Sequence, residues 1–430
     1  MKTLARLLAP ALLIAAIAAP VAETAYAQTT PPASAANGFS AERLARVQRV
    51  LQAYVDQGRL AGVVVQVKQD GRDVLTAAVG WRDREARDPM RQDAVFRIAS
   101  QTKALTSVAV MMLMEEGKLL LNDPVGKYLP EWAKTTVAVS QPGGGYKVVP
   151  AKRPITLRDL LTHTSGVSYG PGPALQAWRD AGFNGWYFAD RDEPMSAAIA
   201  RMGALPMAAQ PGEQFVYGYS TDVLGVVVEK ISGQSLADFL TERLIRPLGM
   251  KDTAFRASPD MARRLAVVYT GGAAGLARAA APGAWEEISY VGQGHYVDGP
   301  GKAFSGGAGL LSTAADYSRF LEMLRRGGEL DGRRYLSRKS VELMTSNQLD
   351  GQPFFMPGSG FGLGFSLRLD VGKAGELGSS GEFAWGGAYH SQYWVDPKER
   401  LTVVYLTQLQ SPGDVDDHAK VRALIYQALN

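Results

Sequence analysis

The chain has 430 residues, of which 46% are hydrophobic, 9% aromatic and 20% charged, and it contains no cysteine. This composition excludes a disordered or collagen-like chain, and the missing cysteine excludes disulfides, Cys–zinc sites, iron–sulfur clusters and thiol nucleophiles. Lys plus Arg outnumber Asp plus Glu by 46 to 42, without a basic stripe, so no nucleic-acid partner is expected.

The N-terminus reads as an address. Lys2 and Arg6 precede an apolar run, residues 7–21, that ends in Ala25-Tyr26-Ala27. This predicts a secretory signal peptide over residues 1–27, cleaved after Ala27. A Thr/Pro/Ala/Ser-rich linker over 28–38 follows. Pro10 and Pro20 interrupt the run, and no later stretch approaches the ~20 apolar residues that span a bilayer. The expectation is an exported protein, periplasmic, with no membrane anchor after cleavage.

Ser40 caps an amphipathic helix that places Leu44, Val47, Leu51 and Tyr54 on one face. Residues 62–69 and 73–79 read as strands, joined at Asp70-Gly71 with hairpin chemistry. A long helix is predicted from Ser100 to Glu116, stopped by Gly117. The middle, roughly 105–300, reads as helical, with flexible excursions at 141–145 and 271–282. Strand signals return at 362–369, 384–395 and 401–406, before a C-terminal helix. Strands at both ends with helices between them predict an α/β (α+β) fold. In it, helices flank one antiparallel sheet, and an all-helical subdomain is inserted.

Ser100-Gln101-Thr102-Lys103 is the one Ser-x-x-Lys in the chain. A β-branched, apolar stretch leads into it and a helix follows. Residues three apart share a helix face, so Lys103 can reach the Ser100 hydroxyl. The helix N-terminus favours a developing oxyanion. A serine needs such help, because almost none of its hydroxyl is ionised at neutral pH.

Phe96 to Lys103 resembles the nucleophile motif of the serine β-lactamase and penicillin-binding-protein superfamily. It is most similar to the class C β-lactamase-related branch that includes the family VIII carboxylesterases. Four further stretches agree in order: Ile155 to Gly166, Pro211 to Tyr217, Pro247 to Met250, and Gly306 to Leu310. The resemblance spans roughly residues 40–430 and implies one serine hydrolase domain over 39–430. It implies Ser100 as nucleophile and Lys103 and Tyr217 as the groups that manage protons. Tyr219 stands where the family has an Asn that binds the β-lactam amide, and is carried over as a substrate contact. Trp385-Gly386-Gly387 stands where Lys-Thr-Gly is usual, so these three are expected to meet substrate. The backbone N–H groups of Ser100 and Ala388 are expected to form the oxyanion hole. Losing the family's lysine removes the partner of a substrate carboxylate, which points to a neutral or aromatic acyl ester.

Two decoys are set aside. Gly166-Val167-Ser168-Tyr169-Gly170 matches the α/β-hydrolase elbow, but a helix precedes it and Pro171-Gly172-Pro173 follows. The four histidines, His163, His295, His390 and His418, have no metal-ligand spacing, so no metal is expected. His163 is expected to hydrogen-bond backbone in its turn, and His390 to be structural or solvated, though near enough in sequence to Trp385 to reach the cleft. No phosphate loop is present, so no cofactor is expected. The reading is a carboxylic-ester hydrolase acting through an acyl-enzyme on a small-molecule ester or amide. A D-amino-acid-type peptidase or amide hydrolase, a weak β-lactamase, and a catalytically silent binding protein remain as alternatives. The oligomeric state is left open.

Overall fold

The computed structural model describes residues 28–29, 38–170, 172–272, 275–287, 289–349 and 351–430. The expected signal peptide and most of the linker lie outside the described residues. The elements that build the main sheet come from both ends of the chain. β1 (Gln28–Thr29), α1 (Ala41–Asp56), β2 (Gly62–Gln69) and β3 (Arg72–Asp83) come first. The central helices are α2 (Thr102–Glu115), α3 (Leu157–Leu161), α4 (Ser220–Ser232) and α5 (Ala314–Arg325). β4 (Ser359–Phe361), β5 (Ser366–Arg368), β6 (Phe383–Gly387), β7 (Ser391–Asp396), β8 (Leu401–Thr407) and α6 (Asp417–Tyr426) close the chain.

The sheet order is β1-β3-β2-β8-β7-β6-β5-β4, with Asp88–Pro89 pairing on β3. Every pairing in it is antiparallel. Alternation along β2 explains why both faces are covered. Val63, Val65 and Val67 join Leu44, Val47, Leu51, Val421 and Ile425 of α1 and α6. Val64 points to the other face and joins the larger core of α2, α4 and α5. The hairpin turn is as the sequence predicts, with Asp70 at φ 51° and Gly71 at φ 77°.

Three boundaries differ from expectation. α2 starts at Thr102, because Ser100 lies in a 3-10 turn, Ala99–Gln101, that leads into it. The strand signal over 384–395 is a hairpin, β6 and β7, that reverses at Ala388 to His390, with His390 at φ 59°. The middle of the chain, expected to be all helical, also carries a three-stranded sheet of Thr136–Ser140, Tyr146–Pro150 and Pro206–Met207. The supposed excursion at 141–145 is the turn of that sheet's hairpin. Gly143, Gly144 and Gly145 all have positive φ, and the flanking Val137, Val139, Val148 and Val149 favour strands. Residues 269–270 and 277–278 likewise pair as a short hairpin across the second supposed excursion. Among the described residues, no helix is long and apolar enough to cross a membrane.

Candidate active site

Ser100 is held at the N-terminal end of a buried helix by a strained turn. The strand Phe96–Arg97 pairs with Leu311–Ser312, and the Ile98 amide donates to the Leu310 carbonyl at 3.1 Å. Ala99 then takes φ 41°, a left-handed conformation that costs a non-glycine residue about 1–3 kcal/mol. Every side chain of α2 from Thr102 to Leu113 is buried. That packing, the bond from the Leu310 amide to Thr102 Oγ1 at 3.1 Å, and the Tyr317 hydroxyl donating to the Gln101 carbonyl at 2.9 Å hold the strain in place.

Lys103 is buried one helical turn on, with three acceptors for its ammonium. Nζ lies 3.3 Å from Ser100 Oγ, 2.9 Å from the Tyr169 hydroxyl and 2.8 Å from the Gly307 carbonyl. An ammonium has three hydrogens, so this arrangement uses all of them. Asp222, on α4, accepts from the Ser305 hydroxyl at 2.6 Å and from the Gly307 amide at 3.0 Å, which fixes the loop bearing that carbonyl. Burial raises the Asp222 carboxyl above its ordinary range, against the pull of Lys103. A Cβ on Gly307 would run into that carboxylate, which gives the Gly306-Gly307 pair its physical reason.

The fold brings Tyr217 beside Lys103 and Trp385. Its ring faces the Lys103 ammonium at 4.7 Å, and its oxygen accepts from the Trp385 indole at 3.0 Å. The phenol that directly bonds Lys103 is Tyr169, which sequence reasoning missed. Burial, then the neighbouring Tyr217 and Asp222, push Tyr169 well above the usual phenol range, so it stays protonated. Tyr169 is the fourth residue of the rejected elbow motif, where attention falls on the serine. Ser168 itself is buried, accepts from the Gly170 amide at 3.1 Å, and follows helix α3 without an intervening strand.

Tyr219 is corrected. It is wholly buried behind Tyr169, stacked on Trp178 at 5.8 Å, and its hydroxyl accepts from the Gly185 amide at 2.9 Å. It shapes the wall that carries Tyr169 and is not among the residues that line the cleft. His163 also differs from expectation. It sits at φ 55° in an aromatic cluster with Phe215, Tyr217 and Phe361, and its Nδ1 has no hydrogen-bond partner. Burial, reinforced by Lys103, drives its pKa well below the ordinary histidine value.

Ser100, Tyr169, Tyr217, Trp385, Gly386, Gly387 and Ala388 line one cleft of about 690 Å3. Gly387 has to be glycine, because a Cβ there would come within 2.5 Å of the Ile98 carbonyl in the nucleophile turn. That close approach brings the backbone after β6 alongside Ser100, the arrangement a two-amide oxyanion hole requires. The cleft is aromatic at this end, with Trp186 as a further ring, and charged at the other, where Arg368, Glu376, Glu382 and Arg422 reach it. Each arginine is committed, Arg368 to Glu376 at 2.9 Å and Arg422 to Glu382 at 2.8 Å. His390 also lines the cleft, and Asp417 holds it at 2.8 Å.

Comparison with known proteins identifies the family and the fold. A family model described as Beta-lactamase matches residues 47–427. A protein of Mycobacterium tuberculosis is 36% identical over 389 residues, covering 87% of this chain and 92% of its own. Esterase EstB of Burkholderia gladioli is 31% identical over 391 residues, with 87% and 92% covered. The solved structure of EstCE1, described as a hydrolase with promiscuous acyltransferase activity, matches with a TM-score of 0.75 at 28% identity. That match covers 90% of this chain and 99% of the other.

Proposed function

The chain belongs to the β-lactamase family, in company with esterases and acyltransferases, and we propose that it is an exported carboxylic-ester hydrolase working through Ser100, Lys103 and Tyr217. The observation that carries the proposal is Lys103 Nζ at 3.3 Å from Ser100 Oγ in the wall of an aromatic cleft. Ser100 attacks the ester carbonyl as its proton passes to the free lone pair of the Tyr217 oxygen, and the Lys103 ammonium keeps its three hydrogens and steadies the developing negative charge. The Trp385 indole occupies one lone pair of the Tyr217 oxygen, leaving the other and its own proton for exchange with the leaving alcohol. The Ser100 and Ala388 amides receive the oxyanion, and water then releases the acyl group.

An uncharged acyl ester fits best. Trp385 offers a ring where a cation would hold a substrate carboxylate, and the two arginines in the cleft already have carboxylate partners. Bringing a carboxylate beside those rings costs desolvation, whereas an aryl or short alkyl group gains contact. Nitrophenyl esters, nitrocefin and an acyl-D-Ala-D-Ala peptide, assayed at one pH and salt, test this. Expected kcat/KM for the esters is at least ~10²-fold the higher. Efficient cleavage of the D-peptide overturns the ester assignment. Ser100→Ala is expected to lower turnover at least ~10³-fold, with Ser168→Ala retaining most of it. The reverse ranking overturns the mechanism. Export rests on the leader alone, and N-terminal sequencing of the secreted protein, expected to begin at Gln28, tests it.

A further inference from the structure

A backbone amide stabilises an oxyanion only if its turn holds it in a fixed direction. The last pair of β6 and β7 is Gly387 with Ser391, so Ala388, Tyr389 and His390 form the whole turn between them. A three-residue turn of this kind ends in a left-handed residue, ordinarily glycine. Here that residue is His390, at φ 59°. Its ring is held by α6, where Nε2 donates to the Asp417 carboxylate at 2.8 Å and the His418 ring stacks on it at 3.9 Å and 11°. We propose that His390 is a positioning residue for ester hydrolysis, a strut from α6 that holds the Ala388 amide at the oxyanion hole. The inference rests on the Ser100 and Ala388 oxyanion hole of the proposed function.

The amide needs such a strut because nothing nearer holds it. Gly386 and Gly387 precede it, and glycine leaves the adjoining peptide freest to rotate. Ala388 is exposed and carries only a methyl group. The constraint therefore comes from the far side of the turn, where every available group is tied down. The Tyr389 ring is fully buried, edge-on to Trp186 at 5.5 Å, and its carbonyl accepts from the Leu409 amide at 3.1 Å. The His390 carbonyl accepts from His418 Nε2 at 3.2 Å. Asp417 is fully buried, and the Tyr405 hydroxyl donates to its Oδ2, which leaves Oδ1 for His390. His390 lines the cleft with Ala388, but its Nε2 is committed to Asp417, so it acts through the turn and not on the substrate.

The test follows hydrolysis of nitrophenyl butyrate by the full chain and its inhibition by phenylboronic acid, whose tetrahedral serine adduct sets an oxygen in the oxyanion hole. His390→Asn tolerates the left-handed backbone but stops short of Asp417, and His390→Gly suits that backbone and removes the ring. Each is expected to lower kcat about 10–100-fold, to change KM less than about threefold, and to raise the phenylboronic acid Ki by a factor like that in kcat. Loss of packing alone would lower Tm without raising Ki. Asp417→Asn keeps an acceptor oxygen for His390 and is expected to recover most of the kcat lost in Asp417→Ala. Wild-type kcat in a folded His390→Asn or His390→Gly, or a loss confined to KM, overturns the inference. If neither folds, equal kcat in Asp417→Asn and Asp417→Ala overturns it. A wild type that does not hydrolyse the ester overturns the ester reading, and this inference with it.

Discussion

At the scale of single residues, the site is a set of competing claims on one ammonium. Lys103 divides its hydrogens among Ser100, Tyr169 and Gly307, while Tyr217 takes only the ring face. Tyr169 and Tyr217 therefore differ in kind, the first holding the lysine and the second, on the proposed mechanism, exchanging a proton with substrate. Lys103→Ala and Tyr217→Phe are each expected to lower kcat about 10²–10⁴-fold. The double variant should cost little more than the worse single, because both break one proton route. Tyr169→Phe removes an acceptor but no proton carrier, and should cost only about tenfold. A fully additive cycle between Lys103 and Tyr217 would show that they do not act together.

At the scale of elements, the site depends on β6 lying against the nucleophile turn. Gly387→Ala drives a methyl group at the Ile98 carbonyl. It is expected to destabilise the fold by about 1–3 kcal/mol and lower kcat/KM at least ~10-fold, with urea melts and ester kinetics as the measurements. A variant with wild-type kinetics would mean that β6 does not position the oxyanion hole. This contact marks where the sequence stopped being legible. Ser100 and Lys103 could be read because their relation is one helical turn, and the Asp70-Gly71 hairpin because its chemistry is local. The start of α2 could not, since Ala99 is forced to φ 41° by packing and not by its own propensity. Tyr219 was misread because a motif names a residue without saying which way its side chain turns. Tyr169 stayed hidden because its partner, Lys103, is remote in the chain.

At the scale of the molecule, a buried ion pair joins α6 to the edge of β6. Arg422 meets both oxygens of Glu382 at 2.8 Å, and the Tyr426 hydroxyl adds a bond at 2.9 Å. The two side chains are 9% and 2% exposed, so breaking the pair leaves a charge away from water. Glu382→Gln is expected to lower unfolding free energy by about 3 kcal/mol in urea. Glu342→Gln, at the exposed pair with Arg338, should change it by less than about 0.5 kcal/mol. Equal effects would remove burial as the cause.

The pairing of β2 with β8 sets the timing of biosynthesis. Val63 lies opposite Thr407, so the middle of the sheet joins residues made at the two ends of translation. At about 5–20 residues per second, β2 and its valines wait tens of seconds for β8 to be made. Until then β3 is the sheet neighbour already made, and the part of the apolar face that α6 covers stays open. A nascent chain of this design cannot complete its main sheet until almost its last residue has been added.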